Sequence, residues 1–237
     1  MDMVRTEKPK KLLLWDIDGT LVLTGKAGEY AMDAALAQFG VQGSIHDVDY
    51  PGRTDRQICR MLLEYHGIPV TPEAVQDFVE AYLQGLAEEL PKRQGEVLPG
   101  VLEILRHCHQ RPDCINALLT GNMRRGAELK LGYYDVWQFF EFGAFADDAN
   151  ERNALGPIAL ERAEQRCGAP VKPQHVFIIG DTKHDIACGK VIGACTVAVA
   201  TGAFSVDDLE QHEPDHLFTD LSDTEAFIKL LNETQAR

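Results

Sequence analysis

The strongest constraint on the fold is an alternation that begins at residue 12: a short apolar run, a turn and a helix-length amphipathic stretch, repeated towards the C-terminus. Continuous apolar runs are typical of strands covered on both faces, and strands that alternate with helices favour a parallel sheet. The predicted strands are residues 12–16, 115–120, 142–146, 175–180, 196–199 and 216–219. The helices predicted between them are residues 101–110, 124–131, 157–167, 184–191 and 223–231. We therefore expect an α/β fold with a parallel sheet at its centre.

The interval between residues 23 and 98 breaks this alternation, because it contains helical periodicity and no strand-like run. Thr71 and Pro72 are typical of a helix N-cap and of the first helical position. The helices predicted in this interval are residues 26–39, 55–66 and 72–90. We expect an all-helical domain inserted into an α/β core, with the insertion at residues 24–97 and the core at residues 1–23 and 98–237.

The composition is that of a folded, acidic protein, with 237 residues, 45% apolar side chains and a formal net charge of −14. This length supports a sizeable hydrophobic core, and the charge repels nucleic-acid backbones and anionic membrane surfaces. No apolar run approaches the roughly 18 residues of a membrane span, and the first ten residues lack the apolar region of a signal peptide. The six cysteines form no CxxC pair, which favours free thiols in a reducing compartment. We expect a cytoplasmic protein that binds neither nucleic acid nor membranes.

Two predicted strands run directly into acidic residues. The first is followed by the motif Asp-x-Asp-Gly-Thr at residues 16–20, and the fourth is followed by Asp181 and Asp185. Asp and Gly also favour turns, so a turn explains the first motif, taken alone, as well as a site does. The carboxyl ends of parallel strands meet at one edge of a sheet, where carboxylates without a counter-ion would repel one another. The hard oxygen donors predict a bound Mg²⁺ at this edge.

The predicted strand at residues 115–120 ends in Thr120, Gly121 and Asn122, which place a hydroxyl and backbone N–H groups at the start of a helix. Helix N-termini bind anions, such as a phosphoryl group. A threonine that stood alone at this position would more often be an N-cap. The segment is therefore a candidate phosphate site, and the two acidic motifs are what support this assignment.

Together, these motifs resemble those of the haloacid dehalogenase superfamily of phosphotransferases. Residues 16–20 match its first motif, Thr120 its second, and Gly180-Asp181-Thr182-x-x-Asp185 its fourth, and the resemblance spans residues 12 to about 200. It implies a Rossmann-like parallel-sheet core with an inserted all-helical cap domain of the C1 type. It also implies a Mg²⁺-dependent phosphatase, similar to phosphoglycolate phosphatases, that acts through an aspartyl-phosphate intermediate.

The resemblance and the chemistry of carboxylates assign a role to each residue. Asp16 is the nucleophile and a metal ligand, and Asp18 is the general acid and base, with its main-chain carbonyl as a further metal ligand. Asp181 completes the metal shell, and Asp185 either ligates through water or orients its neighbours. Thr120 stabilises charge on the phosphoryl oxygens. The substrate contacts expected beside it are Gly19, Thr20, Gly121 and Asn122.

The third motif departs from the family pattern, which places a lysine, often in a Lys-Pro pair, after the third strand. Here the pair Lys172-Pro173 precedes a strand, so six residues at about 3.3 Å each place it roughly 20 Å from Asp181. Arg152 lies on the correct side of the sheet and can donate a planar fork to phosphate, so we assign it the catalytic role. The alternatives are Lys130 and Arg124.

Substrate choice is expected in the insertion, since the caps of this family close over the leaving group. Arg53 can reach the anionic end of a substrate; equally, Thr54 or Asp55 can cap the next helix and leave Arg53 in solvent. The favoured function is hydrolysis of a small phosphorylated metabolite by a monomer or homodimer. The alternatives are a phosphomutase of the β-phosphoglucomutase type, a phosphonoacetaldehyde hydrolase-like enzyme and a non-catalytic binding module on the same fold.

Overall fold

The structure, a computed structural model, describes residues 11–233. In this part of the chain the strands are β1 (Lys11–Trp15), β2 (Val22–Leu23), β3 (Glu96–Val97), β4 (Cys114–Leu119), β5 (Gly143–Ala144), β6 (Val176–Gly180), β7 (Cys195–Val199) and β8 (His216–Phe218). The α-helices are α1 (Ala27–Gln38), α2 (Asp55–Tyr65), α3 (Pro72–Glu89), α4 (Val101–His109), α5 (Arg124–Tyr133), α6 (Arg152–Cys167), α7 (Lys183–Ile192), α8 (Val206–Glu210) and α9 (Thr224–Glu233). None of these helices has the length and apolar character needed to cross a bilayer.

Strand β1 lies in the middle of a six-stranded parallel sheet whose order is β5-β4-β1-β6-β7-β8. Leu12 pairs with Ile115 of β4 on one side and with Val176 of β6 on the other. The strand order therefore reverses at β1, which opens a crevice at the carboxyl ends of the central strands. The predicted α/β fold with a parallel-sheet core is confirmed, and the crevice lies at the edge where the sequence predicts the acidic residues.

The side chains of β1 alternate between two hydrophobic clusters, as the two-residue period of a strand requires. Leu13 and Trp15 belong to a cluster with residues of α4 and α9, and Trp15 stacks on Phe227 with ring centroids 5.7 Å apart. Leu12 and Leu14 belong to a second cluster with residues of α6 and α7. Because β1 is buried on both faces, the residues that follow it are held at a fixed position.

Helices α1, α2 and α3 surround a hydrophobic cluster of their own. Most of its members come from these helices, among them Ala31, Met32, Leu36, Leu62, Leu63, Phe78 and Tyr82. Thr54 and Thr71 cap α2 and α3 through their side chains, and Pro72 occupies the first position of α3, as predicted. The three predicted helices are present, with a short 3₁₀ helix at Ile45–Asp47 between α1 and α2. The domain boundaries drawn around them stay a prediction.

The two chain segments that join these helices to the sheet pair with each other. β2 and β3 form an antiparallel ribbon in which Val22 lies opposite Val97. Gly95 permits the close approach, because a Cβ built on it would lie 2.2 Å from the carbonyl oxygen of Leu23. No strand is predicted here from the sequence, since a two-residue strand shows no readable alternation.

Two elements differ in length from the predicted ones by more than two residues. The strand predicted at residues 142–146 is only Gly143–Ala144, and α6 begins at Arg152 rather than at residue 157. Pro157 thus lies in the second turn of α6, where it removes one backbone hydrogen bond. The buried face formed by Leu155 and Ala159 offsets this loss, since helix stability in proteins comes mainly from packing. The correction places Arg152 in a helical turn and not in a loop.

Candidate active site

The chain turns sharply as soon as β1 ends. The N–H of Asp16 donates to the carbonyl of Ile179 over 2.9 Å, which fixes Asp16 beside β6. The carbonyl of Ile17 then accepts N–H groups from residues 20, 21 and 22. Gly19 has a φ of +80°, and a Cβ built on it would lie 2.5 Å from Oδ2 of Asp181. Both the conformation and the space therefore require a glycine at this position.

Three carboxylates converge at the edge of the sheet. One oxygen of each of Asp16, Asp181 and Asp185 lies within 4.8 Å of the others, and all three residues are buried. Burial raises the pKa of Asp16 to about 6, although the Arg152 guanidinium opposes this rise. Burial, together with the Asp16 carboxylate, raises the pKa of Asp181 well above its usual value. The structure thus brings together residues that are up to 169 positions apart, as the motifs predict.

This cluster fits a divalent cation. Within residues 11–233, no other group of three or more His, Cys, Asp or Glu side chains has the spacing of a metal site. One guanidinium, that of Arg152, faces the three carboxyl groups, so full ionisation of the cluster leaves excess negative charge, which a divalent cation would offset. Carboxylate oxygens are hard donors, which suit Mg²⁺ or Ca²⁺ better than the softer transition metals.

Arg152 supplies the positive charge of the cluster. It is buried in the first turn of α6, where Nη2 lies 3.0 Å from Oδ1 of Asp16 and also contacts Asp185. Its Nε is buried and has no hydrogen-bond partner in the described part of the chain. Lys172, in contrast, is exposed just before β6, at the opposite end of that strand from Asp181. The geometry therefore favours Arg152 over Lys172 as the cation of the site.

The side chain of Asp18 is held by residues to which the sequence analysis assigns other roles. Nζ of Lys130 lies 2.6 Å from Oδ2 of Asp18, and Nδ2 of Asn122 donates to the same oxygen over 2.9 Å. Asn122 also donates through Nδ2 to the Thr120 hydroxyl at 2.9 Å and accepts from Lys130 at 2.6 Å. Thr120 and Asn122 therefore support Asp18 in this structure, and their contacts with phosphate stay a prediction. Lys130, an alternative third-motif cation, pairs with the second aspartate and not with the first.

The loop after β7 packs directly against Asp181. A Cβ built on Gly202 would lie 1.6 Å from Oδ2 of Asp181, and the Thr201 hydroxyl donates to the carbonyl of Gly19. Thr20 donates to Oδ1 of Asp181 over 3.2 Å. Sequence reasoning identifies Thr20 but misses Thr201 and Gly202. Their place just after a predicted strand, at the carboxyl edge of the sheet, is the signal that could have found them.

A cavity of about 860 Å³ lies between the three helices of the insertion and this edge of the sheet. Asp16, Asp18, Arg152 and Asp181 line it from the sheet side. The residues that line it from the insertion include Lys26, Glu29, Met32, Tyr50, Arg53, Ile58 and Tyr82. The predicted nucleophile and the predicted general acid thus open into one space that is large enough for a small metabolite.

The start of α2 contacts the sheet side through three hydrogen bonds. Thr54 donates from its hydroxyl to the carbonyl of Asn150 over 2.7 Å, and the N–H of Asp55 donates to the carbonyl of Gly121 over 2.6 Å. Oδ2 of Asp55 accepts the N–H of Met123 at 2.8 Å. Burial raises the pKa of Asp55 to about 7. Of the two residues that could cap α2, Thr54 is the N-cap, whereas the carboxylate of Asp55 links the insertion to the start of α5.

Arg53 lines the cavity, but its guanidinium is occupied. Nη2 lies 3.1 Å from Oδ2 of Asp49, and Nε donates to the Asp49 carbonyl. The Arg53 backbone lies against Gly121, where a built Cβ would be 2.2 Å from the Arg53 carbonyl oxygen. Gly121 is therefore needed for this close approach, and contact between Arg53 and a substrate stays a prediction.

Comparison with known proteins agrees with these motifs, since the family described as haloacid dehalogenase-like hydrolase matches residues 13–190. The chain belongs to this family. Pyrophosphatase PpaX of Halalkalibacterium halodurans is 28% identical over 218 residues, which cover 89% of this chain and 93% of that protein. Phosphoglycolate phosphatase 1 of Pseudomonas aeruginosa is 29% identical over 205 residues, covering 81% and 70%. A hydrolase from Pseudomonas syringae has the same fold, with a TM-score of 0.74 at 20% identity and coverage of 94% and 99%.

Membership of the haloacid dehalogenase-like hydrolases confirms the resemblance that the motifs indicate and the prediction of a hydrolase. The match begins in β1 and ends within α7, so it includes every residue of the acidic cluster. The two relatives carry the names of phosphatases that act on different substrates. Family membership therefore indicates the type of reaction, hydrolysis, but does not identify the substrate.

Proposed function

We propose that the protein is a Mg²⁺-dependent phosphatase that hydrolyses a small phosphorylated metabolite through an aspartyl-phosphate on Asp16. The position of Asp16 carries the proposal: its carboxylate lines the cavity, beside Arg152 and within 4.8 Å of two further carboxylates. Phosphoryl transfer to a carboxylate needs a nucleophile, positive charge for the phosphoryl oxygens and a general acid. The phosphatase names of the relatives support a phosphorylated substrate.

In the first step, an oxygen of Asp16 forms a bond to phosphorus while the bond from phosphorus to the leaving oxygen breaks. With a pKa of about 6, Asp16 is mostly ionised at neutral pH and available for attack. Asp18 donates a proton to the leaving oxygen, and then removes a proton from the water that attacks the aspartyl-phosphate. Inorganic phosphate leaves and Asp16 is restored. Arg152, which lines the cavity beside Asp16, supplies positive charge for the phosphoryl oxygens.

The ligands proposed for Mg²⁺ are Asp16, Asp181 and the main-chain carbonyl of Asp18, with Asp185 as a further ligand or support. When bound, the ion supplies positive charge that offsets the carboxylates and the phosphoryl oxygens. The chain keeps Asp185 in place through Thr182, whose N–H and hydroxyl donate to Oδ2 of Asp185 over 3.1 and 2.6 Å. Thr182 also caps α7, so the helix and the carboxylate fix each other.

We propose that residues 24–97 form the cap domain that covers the substrate and selects it. The walls that this segment gives to the cavity are mixed, with Glu29 and Tyr50 as polar groups and Met32 and Ile58 as apolar ones. Such a wall suits a leaving group that has both hydroxyl groups and a carbon skeleton. An anionic leaving group would compete with Asp49 for the guanidinium of Arg53.

The test is a screen of phosphate monoesters and pyrophosphate, with MgCl₂ or with EDTA, for release of inorganic phosphate. Asp16→Asn is the matched control, because it keeps the shape of the side chain and removes the nucleophile. Wild type should turn over at least one substrate in Mg²⁺ and none in EDTA, while Asp16→Asn should fold normally by circular dichroism and be inactive. Turnover by Asp16→Asn would exclude the aspartyl-phosphate on this residue.

The screen and one further assay separate two of the alternatives. A sugar phosphate that is isomerised with little release of phosphate would identify a phosphomutase. A phosphonoacetaldehyde hydrolase needs a lysine in the insertion for a Schiff base, and Lys26 lines the cavity. Inactivation of the protein by borohydride in the presence of phosphonoacetaldehyde, lost in Lys26→Met, would identify that activity.

A further inference from the structure

Lys130 is a buried cation that the reaction described above does not use. It lies in the last turn of α5, and 5% of its side chain is exposed. Its Nζ contacts Oδ2 of Asp18 and Oδ1 of Asn122, each over 2.6 Å. Burying a lysine is costly unless its charge is paired and its donors are bonded, so this placement demands an explanation.

The hydrogen bonds around Lys130 have only one consistent pattern. Lysine can only donate, so the atom of Asn122 that it contacts must be the amide oxygen. The Asn122 amide nitrogen is then directed to Oδ2 of Asp18 and to the Thr120 hydroxyl, both at 2.9 Å. Each of the four side chains therefore orients at least one of the others. We call Asp18, Thr120, Asn122 and Lys130 the Lys130 network.

The two carboxylate oxygens of Asp18 have different hydrogen-bond environments in this network. Lys130 and Asn122 both bind Oδ2, whereas Oδ1 accepts no hydrogen bond from residues 11–233. The Asp18 side chain is 43% exposed, and Asp18 lines the cavity beside Asp16. One oxygen is thus anchored in the protein, and the other is free to exchange a proton with a group in the cavity.

The insertion covers the network from the other side. A Cβ built on Gly28 of α1 would lie 3.7 Å from Nζ of Lys130 and 3.8 Å from the hydroxyl of Tyr82 in α3. Helices α1 and α3 therefore leave only 5% of the Lys130 side chain exposed, while Asp18 faces the cavity that both residues line. Exclusion of water strengthens the ion pair and limits rotation of the carboxylate.

We propose that Lys130 is a positioning residue: with Asn122, it fixes Oδ2 of Asp18 so that Oδ1 faces the leaving oxygen of the substrate. The proposal rests on the proposed function, in which Asp18 transfers the proton. Misplacing a group by about 1 Å can cost about 100-fold in rate, so loss of this support should lower kcat much more than it changes KM.

A double-mutant cycle tests whether Lys130 acts through Asp18. Lys130→Met keeps most of the length of the side chain and removes its donors, and Arg125→Met on the exposed side of α5 is the matched control. On an alkyl phosphate, Lys130→Met should lower kcat about 10- to 100-fold with KM nearly unchanged, and Arg125→Met should change neither. Lys130→Arg should restore part of the loss. In an Asp18→Asn background, Lys130→Met should cause little further loss.

The leaving group gives a second readout. 4-Nitrophenolate departs without a proton, so the burst of nitrophenolate that reports formation of the aspartyl-phosphate should keep nearly its wild-type rate in Lys130→Met. Equal losses in the wild-type and Asp18→Asn backgrounds, or a rise in KM with kcat unchanged, would overturn the proposal, because Lys130 would then act on the phosphate or on the substrate.

A readout without turnover separates this proposal from the proposed function. In a crystal structure of Lys130→Met, the Asp18 carboxylate should rotate away from its wild-type position. An unchanged Asp18 would overturn the role of Lys130 even if the enzyme is an active phosphatase. A wild-type protein that hydrolyses no phosphorylated substrate would contradict the proposed function, and the position of Asp18 in the two structures would still decide whether Lys130 fixes it.

Discussion

Replacing Asp55 with asparagine should stabilise the protein at pH 8 by more than at pH 5. Asp55 is buried where α2 meets the sheet side, and burial raises its pKa from 3.8 to about 7, although Lys130 and the N–H of Met123 oppose the rise. The other titratable groups that face it are Asp18, Cys59, Tyr82 and Asp147. Asparagine keeps an acceptor for the N–H of Met123 and carries no charge.

The sign follows from the two states of the carboxyl group. The unfolded carboxyl of Asp55 loses its proton above pH 3.8, whereas the folded one keeps it until about pH 7. Between these values the folded state binds more protons, so stability falls as pH rises. At about 1.36 kcal/mol per pKa unit, the full cost is about 4 kcal/mol above pH 7, of which roughly 1.5 kcal/mol is already present at pH 5. The variant lacks this cost.

Urea unfolding at pH 5 and pH 8, followed by tryptophan fluorescence, measures the effect. The free energy of unfolding of Asp55→Asn, minus that of wild type, should increase by about 2 to 3 kcal/mol from pH 5 to pH 8. Asp77→Asn, on the exposed face of α3, is the control and should show the same difference from wild type at both pH values. If Asp55→Asn is less stable than wild type at pH 8, the attraction to Lys130 outweighs burial and the reasoning is refuted.

Two further substitutions test the acidic cluster. Arg152→Ala should lower kcat/KM by at least about 100-fold in steady-state kinetics, and Arg152→Lys should lower it by less. Lys172→Ala changes an exposed residue, so its kcat/KM should stay within about twofold of wild type. A large loss of activity in Lys172→Ala would reverse the third-motif assignment. Gly202→Ala should abolish the rise in Tm that Mg²⁺ causes, because the new Cβ overlaps Oδ2 of Asp181, whereas Gly132→Ala, with no atom within 4 Å of its Cβ, should retain it. An unchanged response to Mg²⁺ in Gly202→Ala would place the ion elsewhere.

The acidic cluster could be predicted because each member follows a strand that local pattern alone identifies. A parallel sheet brings strand ends to one edge whatever the loops between them do, so Asp16 and Asp181 needed no knowledge of side-chain packing. The position of Arg152 is predicted in the same way, because it follows the strand predicted at residues 142–146 and therefore lies on the same side of the sheet. The sequence predicts a later start for the helix of Arg152 because Pro157 is typical of a first helical residue, and tertiary packing overrides that preference.

The Lys130 network could not be predicted from the sequence. Lys130 lies 112 residues from Asp18, on a helix where a charged residue normally indicates a solvent-exposed face. Only the position of α1 and α3 over α5 buries it, and that position depends on the path of two linkers with no periodic pattern. The contact of Asp55 with Met123 could not be predicted for a related reason: the sequence suggests Asp55 only as a helix cap, since an acidic residue in the first turn of a helix needs no distant partner.

The ribbon of β2 and β3 brings together the two ends of the proposed cap domain. Because Val22 and Val97 lie side by side, the segment between them leaves and re-enters the sheet side at one point, so a graft has to match one chain junction and the contacts that Thr54, Asp55 and Gly28 make. A chimera that takes this segment from a relative should therefore keep the transfer chemistry of the recipient and acquire the preference of the donor. If the proposed cap domain selects the substrate, such an architecture lets evolution change the substrate while the reacting groups stay constant.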